Sequence, residues 1–153
     1  MEKVLVTGAT GFIGLHCIKQ LLDRGYSVNG TLRSLDRQAE VIDSLERNNT
    51  PTRHLSLFEV DLNRDSGWDS AIRDCNYVLH VASPFVLTDE DEDFFVKPAV
   101  EGVQRALKFS KKHKVKKVIL TSSFAAIHET LNDRQESFNE EDWSNPNKPG
   151  ISF

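Results

Sequence analysis

Three glycines at a spacing of three, Gly8, Gly11 and Gly14, constrain this chain more than any other feature. They follow the apolar run Val4-Leu5-Val6. They open a segment in which Gly14, Ile18, Leu21, Leu22 and Gly25 recur at helical spacing, with Lys19, Gln20, Asp23 and Arg24 pointing the other way. A near-continuous apolar run suits a strand buried on both faces of a parallel sheet. Glycines let the backbone turn sharply and let a ligand approach it closely. A helix N-terminus presents unpaired N–H groups with a partial positive charge, which is what a phosphate needs. The spacing therefore assigns Gly8 to the turn, Gly11 to the close approach and Gly14 to a tight helix–strand contact. A plain βα turn could carry glycines too. The strand before and the amphipathic helix after are the context that favours phosphate binding.

Apolar runs alternate with helical patterns along the rest of the chain, the βαβ signature. Strands are predicted over Ser27 to Leu32, Leu55 to Val60, Tyr77 to Val81 and Val118 to Leu120. Helices are predicted from about Asp36 to Arg47, near Trp68 to Ile72, and in a long segment ending near His113, with Pro98 at its start or kinking it. No element is predicted from His128 to Phe153. The expected architecture is an α/β doubly wound parallel sheet (a Rossmann fold) with strand order 3-2-1-4-5, and the sheet is expected to be incomplete. Residues 1–153 are read as one dinucleotide-binding domain.

Composition excludes several functions. With 153 residues the chain is long enough to bury a core without disulfides or metal. Nineteen basic against 23 acidic residues give a net charge of −4, a poor match to nucleic acid. The basic run Lys111, Lys112, Lys114, Lys116 and Lys117 is read as a helix end rather than a nucleic-acid patch. No apolar run approaches the roughly 20 residues of a membrane span, and no signal peptide is expected at the N-terminus. Cys17 and Cys75 suggest a reducing, cytoplasmic setting. No histidine or cysteine spacing suits a metal site.

The glycine segment Thr7-Gly8-Ala9-Thr10-Gly11-Phe12-Ile13-Gly14 resembles that of the extended short-chain dehydrogenase/reductases, within the epimerase/dehydratase superfamily. The resemblance extends to Gly30-Thr31-Leu32-Arg33, Asp61-Leu62, His80-Val81-Ala82-Ser83-Pro84, Lys97-Pro98-Ala99-Val100-Glu101-Gly102 and Thr121-Ser122-Ser123. The subgroup resembled is that of the dihydroflavonol and cinnamoyl-CoA reductases. It implies a reductase that moves hydride from a nicotinamide to the carbonyl of a small organic molecule, with homodimerisation left open. It also implies that the dinucleotide-binding domain is cut short ahead of a substrate domain, and that Gly8, Thr10, Gly11, Phe12, Ile13 and Gly14 cradle the cofactor. Asp61 and Leu62 would touch its adenine. Val81, Ala82 and Ser83 would line the ribose and pyrophosphate, and Thr121 and Ser122 would lie near the nicotinamide.

The end of the second strand selects the cofactor. An acidic residue there grips the ribose 2′-OH of NAD, and a basic one favours the 2′-phosphate of NADP. This chain has Leu32-Arg33-Ser34, with no carboxylate before Asp36. Arg33 can pair with a phosphate through two N–H groups and Ser34 can add a hydroxyl. NADP is expected ahead of NAD. A nucleotide-sugar epimerase or dehydratase shares the glycines but usually carries an acid at this strand end. A non-catalytic NADP-binding module is the third reading.

Reduction also needs a proton for the carbonyl oxygen. By the resemblance, Ser123 is the catalytic serine that holds that oxygen, with Ser122 as runner-up. The family's proton donor is a tyrosine followed four residues later by lysine, roughly 25–35 residues beyond the serine. Tyr26 is followed by Gly30 and Tyr77 by Val81, so neither forms that pair. The chain is therefore expected to bind cofactor weakly and to carry out no hydride transfer alone. Val118-Ile119-Leu120 is expected to form an open apolar edge.

Overall fold

The computed structural model describes residues 1–83, 92–127 and 137–145. The chain divides into two compact units, Met1–Leu120 and Thr121–Phe153. In the first, β1 (Lys3–Val6), α1 (Phe12–Asp23), β2 (Ser27–Leu32), α2 (Gln38–Arg47), β3 (Leu55–Glu59), α3 (Trp68–Ile72), β4 (Tyr77–His80), α4 (Glu92–Lys112) and β5 (Lys117–Leu120) follow in order. The five strands form one sheet, ordered β3-β2-β1-β4-β5, with every neighbouring pair parallel. This is the doubly wound α/β order expected from the alternating patterns.

The register explains why β1 is apolar throughout. Leu5 stands between Asn29 and Val78, and its side chain joins Trp68, Ile72, Val78, Ala106 and Phe109 on the α3/α4 face. Val4 and Val6 alternate to the other face and pack with Ile18, Leu22, Val28, Val41 and Leu45 of β2, α1 and α2. A central strand with a core on each side has no polar face to offer. Trp68 is fully buried and stacks on Phe109, with ring centroids 5.9 Å apart, which joins α3 to α4. Asn29 is buried within β2, and its amide donates to the Ala71 carbonyl at 2.6 Å.

The helix expected to start at Asp36 begins differently. A 3-10 turn, Leu35–Arg37, precedes α2, because the Ser34 hydroxyl accepts the Asp36 backbone N–H and imposes a tighter turn. The basic run expected at a helix end contributes Lys111 and Lys112 to the last turn of α4. Lys108 pairs with Asp65, Lys112 pairs with Asp69, and His113 hydrogen-bonds the Asp69 carboxylate, so these side chains tie α4 to α3 and the segment before it. Among the described strands β5 stands at one end of the sheet, and Ile119 and Leu120 are each 49% exposed.

The second unit contains a 3-10 turn at Phe124–Ala126, in which the Ala126 N–H donates to the Ser123 carbonyl. The Ser144 N–H donates to the Ala126 carbonyl at 2.9 Å. His128 and Phe153 lie outside the described residues, and residues 137–145 contain no helix or strand.

Candidate functional site

The strand order fixes where a ligand can sit. β1 connects outward to β2 on one side, and the later β4 lies on its other side, so the connections diverge at the carboxyl end of β1. That divergence opens a crevice. A cleft of about 560 Å³ lies there. Gly8, Thr10, Gly11, Phe12, Ile13 and Gly14 form one wall. Thr31 and Leu32 end β2 and Arg33 and Arg37 follow it, Val60 and Leu62 follow β3, and Val81, Ala82 and Ser83 follow β4.

Two glycines are required by geometry. Gly8 has φ +78°, and a side chain there would press on the Cβ of Ala82 at 3.2 Å. Gly14 is buried in α1, and a Cβ on it would collide with the Gly8 carbonyl. The tight contact expected between helix and strand is therefore made with the turn that joins them. Gly11 is the N-cap of α1 and provides no capping side chain, and no acidic residue occupies the first helical turn. The helix N-terminus thus faces the cleft without an internal anion of its own, the arrangement a bound phosphate requires.

A buried threonine braces the turn against the segment after β4. The Thr7 hydroxyl accepts the N–H groups of Val81 and Ala82, both at 3.0 Å. With both lone pairs used, its proton goes to Nδ1 of His80, 3.1 Å away. His80 is therefore the neutral tautomer carrying hydrogen on Nε2, and burial pushes its pKa below the usual 6.5. His80 is 3% exposed and forms part of this brace.

The cationic end of the cleft is formed by two arginines. Arg33 is exposed and has no hydrogen-bond or ion-pair partner among the described residues. Arg37 pairs with Glu40 through Nε and Nη2, at 2.9 and 2.7 Å. That pairing raises the Arg37 pKa and holds the Glu40 carboxyl below its usual range.

Eleven of the sequence-assigned residues line the cleft: Gly8, Thr10, Gly11, Phe12, Ile13, Gly14, Arg33, Leu62, Val81, Ala82 and Ser83. Ser34 is not among the lining residues, and its hydroxyl donates to the Asp36 carboxylate at 2.9 Å. Asp61 also stands off the lining, and its carboxylate accepts the Asn63 N–H at 2.9 Å. Thr121, Ser122 and Ser123 are exposed and belong to the second unit. Sequence reasoning did not assign Thr31, Leu32, Val60 or Arg37 to the site, although Thr31 and Leu32 lie in a motif that carries the resemblance. Arg37 had a signal of its own, a second cation one helical turn after Arg33. Tyr77, at the amino end of β4, donates its hydroxyl proton to Glu2, at the sheet end remote from the cleft.

A parallel sheet that reverses its connections over a glycine-lined helix N-terminus defines a nucleotide-binding α/β protein. The profile of the 3-beta hydroxysteroid dehydrogenase/isomerase family matches residues 5–151, and the chain belongs to that family. It is 38% identical over 128 residues to a dihydroflavonol 4-reductase of Dianthus caryophyllus, covering 83% of this chain and 35% of that protein. The yeast methylglyoxal/isovaleraldehyde reductase Gre2, solved as a complex with NADPH, superposes with a TM-score of 0.80 at 34% identity, over 97% of this chain and 45% of that one. Vestitone reductase from alfalfa (Medicago sativa L.) superposes with a TM-score of 0.75 at 33% identity, over 95% of this chain and 43% of that one. The chain thus spans less than half the length of these relatives. Among the described residues, no helix is long and apolar enough to cross a membrane.

Proposed function

We propose that this chain forms the NADP-binding part of a carbonyl reductase acting on a small ketone or aldehyde. The observation that carries the reading is one cleft that combines an uncapped, glycine-lined helix N-terminus with two arginines and, among the described residues, no lining carboxylate. The N–H groups at the start of α1 hold the pyrophosphate, and Gly8 and Gly14 keep the approach open. Arg33, with Arg37 beside it, binds the 2′-phosphate, and Ser34 acts as the cap that sets the direction of this segment. Leu62 and Val60 give the adenine an apolar wall, with Asp61 shaping the turn behind it. Val81, Ala82 and Ser83 bound the ribose and pyrophosphate. The family resemblance assigns Thr121 and Ser122 to the nicotinamide and Ser123 to the substrate oxygen. When bound, the cofactor supplies hydride to the carbonyl carbon.

Methylglyoxal/isovaleraldehyde reductase and dihydroflavonol 4-reductase support the carbonyl class. The residues given contain no Y-x-x-x-K pair, so this chain alone binds nucleotide without turning over aldehydes or ketones. Two free cysteines suit a reducing, cytoplasmic location.

The test is a titration of the 153-residue chain with NADPH and with NADH. Saturable binding that prefers NADPH supports the reading. Arg33→Asp should then weaken NADPH by about 10- to 100-fold, the worth of one charge-assisted contact, and leave NADH nearly unchanged. A folded chain with equal affinity for both nucleotides would refute the 2′-phosphate assignment.

A further inference from the structure

The two arginines of the cleft stand in different states. Arg33 has no partner among the described residues, whereas Arg37 holds a carboxylate across one edge of its guanidinium. A carboxylate and a phosphate compete for such an edge, because each presents two oxygens at the spacing of two parallel N–H groups. Glu40 lies in the first turn of α2, three residues after Arg37, so backbone geometry keeps it within reach whether or not a ligand is present.

We propose that Glu40 is a specificity-determining residue: its carboxylate occupies the fork of Arg37 and lowers the affinity of the cleft for a dinucleotide bearing a 2′-phosphate, while leaving the unphosphorylated dinucleotide unaffected. The inference rests on the reading of the cleft as a dinucleotide site. It adds a residue that opposes binding, where Arg33 and Arg37 favour it. Discrimination between the two cofactors is then set by the balance of two cations and one anion rather than by the cations alone. Arg37 and Glu40 are about half exposed, at 54% and 55%, so a ligand phosphate can displace the carboxylate into water without burying its charge. Solvent screening keeps the effect modest.

The experiment measures dissociation constants for NADPH and NADH at fixed low salt, using the whole chain and its variants Glu40→Gln, Arg37→Ala, the double variant, and Glu46→Gln. Glu46→Gln removes the same charge from another exposed position of α2. Glu40→Gln should tighten NADPH about two- to five-fold, the scale of an exposed ion pair, with NADH unchanged. The gain should vanish when Arg37 is alanine, and Glu46→Gln should show none. NADPH affinity that is unchanged or weaker in Glu40→Gln overturns the role of Glu40 while leaving the cofactor reading intact. Equal tightening of NADH, or equal tightening by Glu46→Gln, overturns it as well, because either would be a general charge effect. If no variant binds either nucleotide, the dinucleotide reading fails and the proposal falls with it.

Discussion

Replacing Thr7 with valine isolates the brace beneath the glycine turn. Valine nearly matches threonine in shape but cannot hydrogen-bond, and Thr7 is fully buried. The substitution leaves the Val81 and Ala82 N–H groups without their acceptor and His80 Nδ1 without its donor. An unsatisfied buried polar group costs about 1–3 kcal/mol. Both N–H bonds are only partly buried, so water recovers some of that cost. The expected loss is about 2–4 kcal/mol, a large share of the roughly 5–15 kcal/mol that holds a domain folded. For a chain of this size it corresponds to a fall in Tm of roughly 5–15 °C. Urea unfolding followed by far-UV circular dichroism measures it, with an unchanged slope showing that compactness is preserved. Thr7→Ser keeps the hydroxyl and loses one methyl, so it should cost only about 1 kcal/mol. A valine variant within 0.5 kcal/mol of wild type, or a serine variant as damaged as the valine one, would show that the bracing argument is wrong.

Gly14→Ala should destabilise the chain by about 1–3 kcal/mol, since the added methyl must displace the Gly8 carbonyl. The same change should abolish measurable nucleotide binding, and calorimetry on the folded variant would detect any that remained. His80 makes stability depend on pH in a defined sense. Its folded pKa lies below 6.5, so the unfolded state takes up a proton first as the solution is acidified. Stability should be full above about pH 6.5 and fall as the pH drops through that value, levelling off once the folded state also protonates. His80→Asn should flatten this limb in denaturation curves measured between pH 7.5 and 5. The paired carboxylates of Asp65 and Asp69, held below 3.8, lose their contribution only at lower pH, so the two limbs separate.

The glycine turn was readable because its requirements are local. Gly8 needs a positive φ and Gly14 needs no side chain, and both follow from the backbone path between one strand and one helix. The strand order followed from a pattern almost as local, since alternating apolar strands and amphipathic helices can close in few ways. Where a residue's partner is distant in sequence, the pattern carried no signal. Thr7 meets its partners more than seventy residues later. The Ser34 hydroxyl bonds Asp36, and the turn after β2 brings Arg37, which sequence reasoning did not assign to the site, to the cleft.

The sequence by itself determined the fold class, the glycine turn and the cationic character of the strand end beside it. These depend on periodicity, glycine spacing and one charge, which are written within a few neighbouring residues. The tertiary structure decided which hydroxyls and carboxylates remain available to a ligand and which are already engaged by the protein. A polar side chain forms its bonds with whatever the fold places within about 3 Å of it, and for Thr7, Arg37 and Asp61 that was set by packing and turn geometry.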